Sequence, residues 1–324
     1  MPVRRLGEKL TRLFGIEYPV LQGGMAWVAD ARLAAAVSNA GGLGIIASAH
    51  LSPDELREEI ELARSFAGSH PLGVNIMLAS PNAMNVARVC REKKVEVVTT
   101  GAGHPGELIG EMKDAGILVI PLVASTAQAK RAVAAGADAV IAEGYEAGGH
   151  IGELTTMALT PQVVDSVDVP VVAAGGIADG RGMAAAFCLG ASGVQVGTAF
   201  LAARECTVHS NYKRKVLQAK DSDTQVTGRS LGHPVRVLKN RFSREFARME
   251  REGADPDKIT AYGMGRLAAA VRDGDVEWGS VMAGQIAGLV TAERTAEEIV
   301  RGLVEDAARV LESLRVCQKG ECCP

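Results

Sequence analysis

Short, nearly continuous apolar runs alternate along the first two thirds of the chain with longer stretches whose apolar positions recur every three or four residues. Eight such runs stand out: Pro19–Gln22, Leu43–Ala47, Leu72–Met77, Val95–Thr100, Ile117–Leu122, Asp138–Ala142, Val169–Ala174 and Gly193–Gly197. Their starts lie about 21 to 31 residues apart. Runs apolar on both faces mark strands of a parallel sheet. The intervening stretches Ala31–Asn39, Pro53–Phe66, Asn82–Lys93, Pro105–Ala115, Thr126–Ala135, Thr160–Ser166 and Arg181–Leu189 carry the helical period. Ser52-Pro53 and Ser125-Thr126 read as helix starts, and Gly116, Gly136 and Gly190 as stops. Parallel strands need crossover helices, and right-handed crossovers curl a series one way. Eight βα units in about 200 residues therefore predict an α/β fold, a (β/α)8 TIM barrel over residues 1–204. An open doubly wound sheet is the alternative.

The last third breaks this rhythm. Residues 205–258 are polar, with the charge clusters Lys213–Lys215 and Arg241–Arg251, and predict an irregular or helical cap at the barrel mouth. Residues 259–316 predict helices completing the barrel, over Ile259–Val271 and Ala292–Leu314, around the small-residue segment Gly279–Leu289. Residues 317–324 predict a disordered tail.

Composition narrows the class. The 324 residues are 47% hydrophobic and 23% charged, which suits a large packed core and excludes a disordered chain. A net charge of −3 argues against a nucleic-acid partner. No apolar run is long enough for a membrane helix, and Met1–Gly15 lacks the apolar stretch of a secretory signal. Cys90, Cys188 and Cys206 are scattered, and Cys317, Cys322 and Cys323 sit in a polar end, so no disulfide framework is expected. The expectation is a reduced, cytoplasmic protein.

A barrel enzyme works at the C-terminal ends of its strands. Those ends read Gln22–Met25, Val74–Met77, Thr99–Gly103, Glu143–Gly152, Ala174–Gly180 and Gly197-Thr198. Five of the six contain glycine, which admits a ligand close to backbone N–H groups. A barrel phosphate site usually follows strands seven and eight, here Gly175-Gly176 and Gly197-Thr198, and a flavin mononucleotide phosphate fits it. Any one of these loops can be a plain tight turn; the joint pattern is harder to explain so. His150, flanked by Gly148 and Gly149, predicts an exposed, mobile imidazole able to donate a hydrogen bond or move a proton. Glu143 can hold a sugar hydroxyl, a cation or solvent, and Asn75 a flavin edge. His50, His70, His104, His209 and His233 read as surface residues, and Met25, Met77 and Met282 as packing. Gly101–Gly106 matches G-x-G-x-x-G, but no acid follows at the next strand end, so it is not a dinucleotide fingerprint. Phosphate-loop, metalloprotease and nucleophile-elbow motifs are absent, and no metal site is expected.

Together QGGMAWVAD, GGLGII, VNIM, VVTTGAG, AEGYEAGGHIG, AAGGIADG, VQVGT and SVMAGQIAGL, spread over Tyr18–Leu314, resemble the flavin-dependent enoyl-acyl-carrier-protein reductases of the nitronate monooxygenase (2-nitropropane dioxygenase-like) group. EAGGH marks only the broad group; VNIM, SVMAGQIAGL and Ile151 after His150 lean toward the reductases, since nitronate enzymes more often carry Arg there. The resemblance implies noncovalent FMN. Gly23, Gly24 and Met25 would line it and Asn75 contact it. Gly175, Gly176, Gly197 and Thr198 would hold its phosphate, with Glu143, Gly148, Gly149, Gln195 and Ser280 as further cofactor-site residues. NADH or NADPH would be the reductant, and His150 would bind the thioester carbonyl of a trans-2-enoyl substrate in fatty acid synthesis. The resemblance also implies a homodimer, and activation by a monovalent cation such as ammonium or potassium. The basic stretch Lys213–Lys220, with Arg229, Arg236 and Lys239, would steer an acidic acyl carrier protein. The alternatives are a nitronate monooxygenase using oxygen, and a flavin- or phosphate-binding sensor barrel.

Overall fold

The computed structural model describes residues 7–317. The strands, in chain order, are β1 (Val20–Gln22), β2 (Gly44–Ala47), β3 (Leu72–Met77), β4 (Val97–Gly101), β5 (Leu118–Val123), β6 (Val140–Glu143), β7 (Gly149–His150), β8 (Val171–Ala174), β9 (Gly193–Val196), β10 (Thr224–Thr227) and β11 (Val235–Leu238). Eight pair in parallel in the order β1-β9-β8-β6-β5-β4-β3-β2. A parallel Leu21–Leu43 bridge closes the ring, with the Gln22 N–H donating to Leu43 O at 3.0 Å and the Leu43 N–H to Val20 O at 2.9 Å. The predicted barrel is present, and its strands fall within a few residues of the eight apolar runs.

Local chemistry explains the helices that were legible. Ser52 and Glu55 form a capping box on Pro53–Ala67, with Pro53 in its first turn, and Ser125 caps Thr126–Ala134. Two apolar layers lie between strands and outer helices. The barrel interior is a third cluster, in which Leu21, Leu43, Ile45, Val97, Ile120, Ile141 and Val172 meet Leu10 and Phe14. Those last two belong to the helix Glu8–Phe14, absent from the sequence expectations, which plugs the bottom of the barrel. Its Leu10 comes so close that a β-carbon on Gly193 would lie 2.3 Å from it.

Three expectations need correction. The helix expected at Thr160–Ser166 is Thr156–Val164, with Pro161 inside it. Its start is set from a distance: the Thr156 N–H donates to the Glu146 carboxylate at 2.8 and 3.1 Å, and the Thr156 hydroxyl to the same group at 3.0 Å. A carboxylate at a helix start also complements the helix dipole. Second, the polar cap is not only irregular or helical. It holds a three-stranded antiparallel sheet, β10-β11-β7, beside the helices Ser210–Leu217, Arg241–Arg251 and Pro256–Gly263. A small core of Phe242, Phe246 and Ile259 with Tyr262 packs beneath these. Third, Ile259–Val271 is not one helix; the chain breaks at Gly265 (φ +74°) and continues as Arg266–Ala268 and a π-turn over Ala269–Asp273.

The last helix, Ala296–Cys317, packs on Gly180–Cys188, where a β-carbon on Gly180 would sit 2.3 Å from Ala307 N. It carries the backbone of Cys317, expected in a disordered tail, to its end; Cys322 and Cys323 lie outside the described residues. Cys90 and Cys206 are buried and Cys188 is exposed. Among the described residues no helix is long and apolar enough to cross a membrane.

Candidate functional site

The strand ends open on a cavity of about 820 Å³. It is lined by Gly23, Gly24, Met25, Asn75, Glu143, Gly148, Gly149, His150, Gly175, Gly176, Gln195, Gly197 and Thr198, so the barrel brings together every predicted site residue except Ser280. Ser280 is buried away from the cavity, its N–H donating to Arg266 O at 2.8 Å.

The floor is bare backbone held in place by neighbours. A β-carbon on Gly24 would lie 2.3 Å from Asn75 Cβ, and one on Gly148 2.6 Å from the Ala283 carbonyl carbon. Gly175 and Gly176 adopt φ +88° and +73°, and a side chain on Gly175 would press the Gly144 oxygen at 2.9 Å. Asn75 is fixed by its side-chain amide donating to Thr99 Oγ1 at 3.0 Å. The Thr198 hydroxyl accepts the Gly284 N–H at 2.9 Å, which leaves its proton to donate elsewhere.

Among the described residues, two polar groups in this floor show no hydrogen bond to protein. Gln195 is 6% exposed, and its Oε1 is buried without a hydrogen bond among the described residues. Glu143 ends β6, and burial alone pushes its carboxyl up to about 8. Buried polar groups normally find partners; a glycine-walled floor with an open acceptor and a carboxyl fits a flat, hydrogen-bonding ligand such as the flavin that the motifs imply. Among the described residues no lysine or arginine lines the cavity, so a phosphate there would rest on backbone N–H groups and the Thr198 hydroxyl.

His150 stands at the rim, and its setting corrects the expectation of a mobile loop. Gly149 and His150 form β7, with Val235 opposite His150 and Arg236 opposite Gly149. The loop before it is anchored by Glu146, whose oxygen accepts the Gln285 N–H at 2.9 Å. Solvent reaches the imidazole, yet enclosing protein and the nearby His233 both lower its pKa, burial first. His150 is therefore neutral at neutral pH and presents one N–H and one lone pair.

Several residues read as surface or packing prove otherwise. His233, Met25, Met77 and Met282 line the cavity. His50 stacks on Trp27 with ring centroids 4.3 Å apart, and burial with the Arg272 charge lowers its pKa. His209 caps Ser210–Leu217, its Nδ1 accepting the Asn211 N–H at 3.1 Å. The expected basic steering surface loses two members: Lys213 is buried with Nζ donating to Ala203 O at 2.7 Å, and buried Arg236 covers the Tyr145 ring at 4.6 Å. Arg229 is partnered by Glu153 at 3.0 Å. Tyr212, missed from sequence, lines the cavity and donates its hydroxyl to Met282 O at 2.7 Å. No local motif marks it, because Met282 lies 70 residues away.

Comparison with known proteins places this geometry. A family model described as nitronate monooxygenase matches residues 7–93 and 83–306. The structure of FabK from Thermotoga maritima superposes with a TM-score of 0.92 at 51% identity, covering 94% of this chain and 97% of that one. A nitroalkane oxidase from Streptomyces ansochromogenes gives 0.82 at 33%, covering 94% and 99%. A (3aS,4S,5R,7aS)-5-hydroxy-7a-methyl-1-oxo-octahydro-1H-indene-4-carboxyl-CoA dehydrogenase of Mycobacterium tuberculosis is 37% identical over 95% of this chain and 98% of its own length. A probable nitronate monooxygenase of Staphylococcus aureus is 32% identical over 94% and 98%. With relatives aligned nearly end to end and the family model running along most of its length, the chain is an oxidoreductase belonging to the nitronate monooxygenase family.

Proposed function

We propose that the protein is an FMN-dependent reductase of trans-2-enoyl thioesters, taking its electrons from NADH or NADPH and its natural substrate from an acyl carrier protein. The observation that carries this reading is the charge of the cavity. Its described lining has no lysine or arginine, and His150 is neutral. Such a site suits a neutral thioester carbonyl better than an anionic nitronate, whose desolvation would need a compensating cation. The likeness to FabK, a flavin-dependent enoyl-acyl-carrier-protein reductase, supports the same branch.

When bound, the flavin supplies the hydride that reaches the substrate β-carbon. Gly23, Gly24, Gly175, Gly176 and Gly197 leave room for it, and Gln195 and Glu143 offer polar groups to its ring. His150 donates its N–H to the thioester oxygen and stabilises the negative charge that gathers there. A donor aimed at a developing oxyanion contributes about 2.7–4 kcal/mol. The apolar lining residues Ile151, Pro234, Leu267 and Ile286 receive the acyl chain and exclude water. With Lys213 and Arg236 buried, the exposed Arg214 and Lys220 remain to meet the carrier protein.

The second reading, a nitronate monooxygenase, draws on relatives bearing that name. Anaerobic NADH oxidation driven by crotonyl-CoA, set against oxygen uptake with propionate 3-nitronate, separates the two. Rapid enoyl-dependent oxidation is expected; uptake with the nitronate alone would replace the first reading by the second.

A further inference from the structure

Two imidazoles face the cavity, and the chemistry above uses one. Adding hydride to the β-carbon of an enoyl thioester leaves a proton still to be placed on the α-carbon. His233 lies in the β10–β11 hairpin turn, and it lines the same cavity as His150. The pairing of β11 with β7 sets Val235 opposite His150, and the Ile151 N–H donates to Pro234 O at 3.1 Å. The turn thus carries His233 alongside His150.

The turn is braced from behind. The His233 N–H donates to Gly228 O at 3.1 Å, and the Gly228 and Ser230 N–H groups donate to the Glu250 carboxylate at 3.1 and 3.0 Å. Gly228, at φ +79°, has no room for a side chain, since a β-carbon would lie 2.4 Å from His233 O. Among the described residues no side-chain hydrogen bond engages the His233 ring, which is exposed to solvent.

Resting on the enoyl-reductase reading, we propose that His233 is the acid that protonates the substrate α-carbon while His150 holds the carbonyl oxygen. Hydride arriving at the β-carbon pushes the C=C π electrons toward the thioester oxygen as an enolate. Those electrons return to form the α-C–H bond as the His233 N–H bond breaks. The ring nitrogen that gives up this proton takes its next one from water at the rim.

The other proton carriers in the lining are committed or misplaced. His150 is needed at the oxygen. The Tyr212 hydroxyl is spent on Met282 O, and burial raises its pKa. Glu143 ends β6 on the cavity floor, and the reading above gives its carboxyl to the flavin ring. Of the charges nearest the hairpin, Arg229 is paired with Glu153, and Glu250 is spent on backbone N–H groups.

Stopped-flow measurement of the two half-reactions tests the proposal. In His233→Gln, flavin content and the rate of bleaching by NADH should match wild type. Recolouring by crotonyl-CoA should slow roughly a hundredfold, as expected for loss of a general acid. The KM for crotonyl-CoA should stay within about twofold, so that the loss falls on the rate of recolouring and not on binding. A wild-type recolouring rate in the variant would overturn the proposal. So would an effect on KM alone, which marks binding, or equal slowing of both half-reactions, which marks structure. If the wild-type protein itself were not recoloured by any enoyl thioester, the enoyl-reductase reading would fall, a result distinct from any behaviour of the variant.

Discussion

The two ends of the barrel are made of different material. At the bottom, Leu10 and Phe14 from the N-terminal helix fill the space between Leu21, Leu43, Ile45 and Val172, and every one of these side chains is buried. At the top, β1, β8 and β9 run into the glycines Gly23, Gly175 and Gly197, and Gln195 Oε1 has no hydrogen-bond partner among the described residues. One end is packed to exclude everything, the other leaves main chain and polar atoms open. The contrast teaches that stability and chemistry are assigned to opposite ends of the same strands, so each can be damaged without the other.

Substitutions at the two ends should therefore separate. Gly24→Val drives a side chain into Asn75, so the protein should purify colourless while its far-ultraviolet circular dichroism stays native. His150→Ala should keep bound flavin yet lose on the order of a hundredfold in enoyl reduction, as for a removed oxyanion donor; wild-type turnover would remove His150 from the chemistry. Leu10→Ala should lower unfolding free energy by about 2–5 kcal/mol in a denaturant titration, with the flavin dissociation constant unchanged. Reversing charge at Arg214 and Lys220 should slow carrier-bound enoyl turnover severalfold and spare enoyl-CoA.

The smallest effect is a pH slope. The Glu143 carboxyl titrates near 8 in the folded protein, against an ordinary value of 4.5. Between these limits the native state binds the extra proton, so apoprotein stability should fall as pH rises through that window. Glu143→Gln should flatten this slope in thermal melts; an unchanged slope would contradict the burial argument.

The barrel was legible because its signals are local. Continuous apolar runs, the Ser52 capping box and the stops at Gly116 and Gly136 need no partner elsewhere in the chain to be read. The cluster of cavity residues was legible for the same reason, since strand ends are defined by the strands. What escaped depends on distant groups. The carboxylate of Glu146 starts a helix at Thr156, and β7 exists only because β11 lies beside it. Lys213 looks like surface charge until Ala203 O is found next to its ammonium. His233 follows a single glycine, Gly232, in the polar segment away from the barrel strand ends, and only the hairpin brings it to the cavity.

The most direct test of the account is the absorbance of the purified protein followed anaerobically through one cycle. A flavin spectrum that NADH bleaches and an enoyl thioester restores, with one saturated thioester formed per flavin recoloured, is the predicted result. A protein that carries no flavin and binds none when FMN is added, or one whose bleached form only oxygen restores, would contradict it.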